Sequence, residues 1–203
     1  MRGVDTEEFL SIKNRDCLWS GCPPRWTAFF IEDMERRRLY NAYEKHEGYY
    51  CFGCAAANES GLRCEFYEEG EYVTCRWMPR PEFQGFFNVL HGGIQATLMD
   101  EIACWTIFAK VQSAGVTVDM RVKYRATVYT NRGELLLRSR ITEQNSRLVT
   151  MHVELFNADG TLGSEADVVY RVFPPEVAEK RLGWTGIEAF RDPGVEVISQ
   201  QDK

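Results

Sequence analysis

Asp100 lies in the middle of residues 91–110, HGGIQATLMDEIACWTIFAK, a proline-free run with helical periodicity. A carboxylate halfway along a largely apolar helix is expensive to bury unpaired. Its chemistry is to take a proton from water or to attack an electrophilic carbon itself. The helical neighbours at i±3 and i±4 are Ala96, Thr97, Ala103 and Cys104, all small, which leaves room for a ligand or another chain to reach the carboxylate. A half-exposed carboxylate, or one bonded to a neighbouring helix, would show the same pattern. The helix opens with His91-Gly92-Gly93. A helix N-terminus presents unpaired N–H groups and partial positive charge. Glycines there let a carbonyl approach the backbone closely, so a developing oxyanion can be held; a plain glycine helix start is the simpler reading. Asp100 follows Gly92 by eight residues, about 12 Å along the axis. One helix cannot bring both to one reacting carbon, so a site that uses both needs two subunits. Glu101 sits ~100° around the helix from Asp100 and cannot do the same job.

Two other sets of residues bear on chemistry. Arg121, Lys123 and Arg125 recur at every second position of GVTVDMRVKYRATV, residues 115–128. In a strand they share one face with Thr117 and Asp119, while Val116, Val118, Met120, Val122 and Tyr124 take the other. That face is either solvated or a site for phosphates. The seven cysteines stand at 17, 22, 51, 54, 64, 75 and 104. An odd number, with no apolar export signal in MRGVDTEEFL, points to reduced thiols and a cytoplasmic chain. Cys64, Cys75 and Cys104 read as small core residues. Cys17, Cys22, Cys51 and Cys54 together would make a four-thiolate zinc site, but only Cys51-x2-Cys54 has knuckle spacing, and ordinary reduced cysteines are the default.

The elements that must position these residues follow a simple order. Residues 1–48 form an extension, with a helix expected over Trp26–Lys45. Strands are expected at 61–67 and 71–78 about a turn at Glu68-Glu69-Gly70, then the 91–110 helix, then strands at 115–128, 134–144, 147–157 and 162–173. The turn Asn157-Ala158-Asp159-Gly160 makes the last two a hairpin. Residues 174–203 read as a polar surface tail. One long helix among six strands excludes a doubly wound parallel sheet. It predicts an α+β chain, an antiparallel sheet curled around one central helix.

The chain has 203 residues, with 44% hydrophobic and 27% charged, which is ordinary globular usage. A net charge of −6 argues against a general nucleic-acid or membrane-surface binder. No apolar run approaches the ~20 residues that span a bilayer.

The motif H-G-G-x-x-x-T-L-x-D-E at 91–101, followed by T-V-D-M-R-V-K-Y at 117–124, resembles the hotdog-fold acyl-CoA thioesterases of the 4-hydroxybenzoyl-CoA and phenylacetate-pathway superfamily. The upstream C-F-G-C-x-x-x-N-x-x-G-L at 51–62 resembles an opening found in that group, and the likeness covers residues 49–173. It implies a hotdog domain at 49–173 acting on acyl-CoA, as a homodimer or dimer of dimers, with no cofactor or metal. Asp100 matches the catalytic acid, acting as general base or nucleophile. Gly92 matches the glycine whose N–H polarises the thioester carbonyl, with Gly93 beside it. Thr117 matches the hydroxyl residue that positions water, and His91 the histidine that orients the loop. The family's upstream amide would fall at Gly85, so Gln84 or Asn88 must substitute. Arg121, Lys123 and Arg125 would meet the coenzyme A phosphates. Two other readings are a non-catalytic acyl-CoA-binding protein of this fold, and a hotdog dehydratase or hydratase. The second needs a His–acid motif that His46, His91 and His152 do not form.

Overall fold

A computed structural model describes residues 36–194. The described residues form nine strands and three α-helices. They are β1 (Arg36–Leu39), β2 (Phe66–Glu69), β3 (Tyr72–Trp77), β4 (Gln84–Phe86), β5 (Val89–Leu90), α1 (Gly92–Thr106), β6 (Gly115–Tyr124), β7 (Leu135–Gln144), β8 (Leu148–Phe156), β9 (Leu162–Val172), α2 (Pro175–Leu182) and α3 (Glu188–Arg191). Seven strands form one sheet in the order β1-β2-β3-β7-β8-β9-β6, each neighbouring pair antiparallel. Helix α1 packs on β3, β6, β7, β8 and β9. Leu98, Met99, Ile102 and Ala103 from the helix meet Val73, Leu137, Met151, Val153 and Val168 from the sheet in one buried core. This is the expected hotdog architecture.

The period-2 pattern of β7, β8 and β9 explains why they curl around α1. Along β8, Val149, Met151, Val153 and Leu155 are buried and alternate with partly exposed residues. Buried polar groups inside the wrap are paired. The Thr106 hydroxyl reaches Ser139 at 2.8 Å, and Ser164 donates to the Gln95 side chain at 2.9 Å. Beyond Thr106, the helix continues as one π-helical stretch, Ile107–Val111, and Gln112 in the left-handed region ends it.

Several boundaries differ from the sequence expectation. The helix expected over 26–45 lies outside the described residues as far as residue 35, and residues 36–45 form no α-helix. Arg36–Leu39 is an edge strand on β2, and Ala42–Lys45 is a 3-10 turn capped by Asn41. The edge of β2 supplies backbone partners, and its surroundings supply charge. Arg36 pairs with Glu69 at 3.0 Å and stacks on Tyr67, and Arg38 pairs with Glu65 at 3.0 Å. Residues 61–65 do not join the first strand. The N–H groups of Leu62 and Cys64 are taken by the carbonyls of Phe52 and Gly53, and Arg63 has positive φ. The strand runs on through Glu69, which buries its carboxylate against Thr74 and Arg36, and Gly70 at φ +55° makes the turn. The short β4–β5 pair lies outside the six expected strands.

Residues 174–194 are not a surface tail, and residues 195–203 lie outside the described residues. Trp184, Ile187, Ala189 and Phe190 are buried beneath its polar residues. Phe190 stacks on Trp184 at 5.0 Å and meets Phe108 at 5.1 Å, and its carbonyl accepts the Tyr40 N–H at 2.7 Å. Four apolar side chains in a polar stretch escape a composition-based reading, yet they cap the C-terminal end of the central helix.

Candidate active site

Asp100 projects from the middle of α1 toward β6 and β9. The Thr117 hydroxyl donates to Asp100 Oδ1 at 2.7 Å. The Tyr170 hydroxyl reaches the same oxygen at 3.2 Å and the Asp100 carbonyl at 3.3 Å. Burial pushes the Tyr170 phenol well above its usual range, and Cys104 and the Asp100 charge push it the same way, so it stays a protonated donor. Two neutral donors thus fix Oδ1, and Oδ2 has no recorded bond among the described residues.

The route by which Thr117 reaches Asp100 corrects the strict alternation expected of this strand. A bulge between Thr117 and Asp119 places an extra residue in β6. Thr117 pairs with Tyr170, while Met120, Val122 and Tyr124 pair with Val168, Ala166 and Ser164. The paired β9 residues line the helix-facing side, so Thr117 shares that side with Met120 and Val122 and not with Arg121. Tyr170 was missed by sequence reasoning. Its only signal was a phenol ending an inward series of Ser164, Ala166 and Val168, where a buried hydroxyl needs a partner.

The start of α1 is held open by local bonds. His91 caps the helix, its Nδ1 accepting the Gly93 N–H at 2.9 Å, so His91 orients the turn and Gly93 is spent on it. The N–H of Gly92, at the first helical position, has no acceptor four residues back inside the helix. Tyr124 donates to the Gly92 carbonyl at 2.9 Å, and a Cβ on Gly92 would lie 3.2 Å from the Tyr124 oxygen. Gln84 does not reach across the site: its Oε1 accepts the Asn88 N–H at 3.0 Å and closes the turn around the positive-φ Asn88.

The cationic face is partly occupied. Arg125 donates to Glu165 at 2.6 Å, and Lys123 lies 3.5 Å from the same oxygen. The Arg125 hydrogen bond holds the Glu165 carboxyl below its ordinary range. Arg121 has no recorded ion pair among the described residues.

The cysteines fall into two groups. Cys64 and Cys75 are buried in the core, and Cys104 packs against it. Cys51 and Cys54 come together with Glu101, their ligand atoms all within 4.8 Å of one another. Burial, reinforced by the Cys51 charge, raises the Glu101 carboxyl to about 7. Hydrogen bonding from Cys54 brings Cys51 down to about 5, and the same bond pushes Cys54 up. Cys17 and Cys22 lie outside the described residues.

The open stripe of α1 runs through Gly92, Ala96, Thr97, Asp100 and Cys104, all partly exposed, beside β6, an edge strand of the sheet. No described helix is long and apolar enough to cross a membrane.

The family model described as the thioesterase superfamily matches residues 87–164. No curated protein sequence matches the chain. Among solved structures, zebrafish thioesterase superfamily member 2 is similar with a TM-score of 0.51 and 24% identity, covering 58% of this chain and 90% of that one. A Haemophilus influenzae thioesterase is similar with a TM-score of 0.52 and 16% identity, covering 59% and 85%. A Streptococcus mutans protein bound to acetyl-CoA is similar with a TM-score of 0.52 and 16% identity, covering 64% and 98%. At these identities the likeness establishes the fold.

Proposed function

We propose that the chain, whose residues 87–164 match the thioesterase superfamily model, is an acyl-CoA thioesterase, hydrolysing the thioester to a free acid and coenzyme A. The observation that carries this reading is the carboxylate of Asp100, held at one oxygen by Thr117 and Tyr170, with no bond to the other oxygen among the described residues. A carboxylate fixed in this way is prepared to take a proton from water or to attack the carbonyl carbon. As base, it draws a proton from water as the water oxygen bonds to the carbonyl carbon. The tetrahedral intermediate then expels the coenzyme A thiolate. As nucleophile, it bonds to the carbonyl carbon as the C–S bond breaks and the coenzyme A thiolate leaves, and water then opens the mixed anhydride. The Gly92 N–H stabilises the charge on the carbonyl oxygen. That a similarly folded Streptococcus mutans protein holds acetyl-CoA supports a coenzyme A ester as substrate.

The active form is a homodimer, or a dimer of dimers. The two groups are about 12 Å apart along one helix, so Gly92 serves the Asp100 of a partner chain. Among the described residues the edge of β6 is open, with Val116, Val118 and Tyr124 exposed by 41%, 47% and 55%. A long strand edge with apolar side chains is what a second copy would cover. The test of the activity is thiol release from a panel of short, long and aromatic acyl-CoAs. Turnover of at least one supports the reading, and binding without turnover would make the chain a non-catalytic acyl-CoA-binding protein instead.

Thr117→Val keeps the β-branched shape and removes the hydroxyl that holds Asp100. It is expected to lower kcat by about 10-fold, the worth of one hydrogen bond to a charged group, with unchanged KM and a fall of only a few degrees in thermal midpoint. An unchanged kcat would leave Thr117 with a strand-forming role alone.

The phosphates of coenzyme A need local positive charge in a chain of net charge −6, and at ~0.15 M salt only charges within about 8 Å count. Because Glu165 engages Lys123 and Arg125, Arg121 is the cation of this face best placed to meet a phosphate. Arg121→Ala is expected to raise KM for an acyl-CoA about 3- to 10-fold and to leave an acyl-pantetheine thioester nearly unaffected. Arg125→Ala should do less. Equal effects on the two substrates would mean that this face does not read phosphate.

A further inference from the structure

We propose that Cys51, Cys54 and Glu101 bind a zinc ion that clamps the 51–54 loop to the helix carrying Asp100. The three ligands come from segments fifty residues apart in sequence, yet Cys51 Sγ lies 3.8 and 3.9 Å from the two Glu101 oxygens. Zinc bonds of ~2.3 Å to sulfur and ~2.0–2.2 Å to oxygen, in a tetrahedron, separate ligand atoms by about 3.5–3.8 Å. The observed cluster, within 4.8 Å throughout, needs small side-chain movements to reach that spacing.

Three further features of the cluster fit a cation. The loop turns around a sulfur, the Gly53 N–H donating to Cys51 Sγ at 3.3 Å, as a metal-holding Cys-x2-Cys turn requires. The loop is also moulded to the carboxylate, because any Cβ at Gly53 would collide with the Glu101 side chain. Finally, the groups that hydrogen-bond the trio are neutral. The Trp105 indole donates to Glu101 at 3.2 Å, the Asn41 amide to Cys54 Sγ at 3.4 Å, and the Tyr49 hydroxyl lies 3.2 Å from Cys54 Sγ. Two sulfurs and a carboxylate with no cation among their hydrogen-bond partners in the described residues gain most from a metal. Two soft thiolates select zinc over magnesium or calcium. Binding takes both cysteines as thiolates and sends the thiol protons of Cys51 and Cys54 to solvent, and the fourth position takes water.

This zinc does not touch substrate. Because Glu101 follows Asp100, the clamp fixes the helical turn that aims the carboxylate. The proposal does not rest on the thioesterase reading, and its test reads metal rather than turnover.

The full chain, purified without chelator, is expected to retain about one zinc per chain. After stripping, cobalt should give a thiolate charge-transfer band in the near ultraviolet. The Cys51→Ser/Cys54→Ser variant should lose both. Glu101→Gln should keep the band and weaken zinc affinity by about 10²-fold. Failure of the reduced wild type to take either metal would overturn the proposal. So would zinc held equally well by the double variant. If that variant does not fold, the wild-type cobalt band and the Glu101→Gln affinity decide: no band, or undiminished affinity, overturns the proposal.

Discussion

Asp100→Asn is expected to lower kcat for acyl-CoA hydrolysis by about 10²-fold or more, with the fold and substrate binding retained. The amide is nearly isosteric, and it can still accept the Thr117 and Tyr170 hydroxyls through its oxygen. What disappears is the charge, and with it the capacity to take a proton or attack carbon. KM for the acyl-CoA should therefore change little while kcat collapses. Near wild-type turnover would remove Asp100 from the chemistry and leave a half-exposed structural carboxylate.

Gly92→Pro is expected to cost about 10²- to 10³-fold in kcat, the usual penalty for removing one oxyanion donor. Proline deletes the N–H and little else at this place. Gly92 is the first helical position, where proline is well tolerated, and His91 already has the extended backbone that a residue before proline prefers. The added ring approaches the Tyr124 hydroxyl, which a Cβ would meet at 3.2 Å, so Gly92→Ala is the control. It introduces the same Cβ and keeps the N–H. A large loss in the proline variant and a small one in the alanine variant assigns the effect to the donor. Equal losses would assign it to crowding against Tyr124.

The central helix was legible because period 3.6 in residues 91–110 is unbroken, and the strands of the second half because period 2 is. Placing Asp100 and the glycines on that helix followed from the same periodicity. The face of Thr117 was not legible. The bulge that turns it inward falls at Val118, as apolar as Val116 and Met120 two positions to either side, so the alternation looks continuous through it. Tyr170 was hidden for a related reason, since an aromatic residue in an inward series reads as core. The expected helix at 36–45 failed because local propensity yielded to an open sheet edge and to Glu65 and Glu69. The proximity of Cys51, Cys54 and Glu101 depends on a loop packing against a distant helix, which no local pattern encodes.

The claim that one carboxylate and one backbone N–H from different chains make each site is tested most directly by complementation. Asp100→Asn and Gly92→Pro chains are co-expressed with different tags, and the mixed dimer is isolated and assayed for thiol release from an acyl-CoA that the wild type hydrolyses. Each homodimer lacks one group at both sites. In the mixed dimer, one site pairs an intact Asp100 with an intact Gly92, and the other lacks both. The account predicts that the mixed dimer recovers about half of wild-type kcat per dimer. A mixed dimer as inactive as its parents would contradict it.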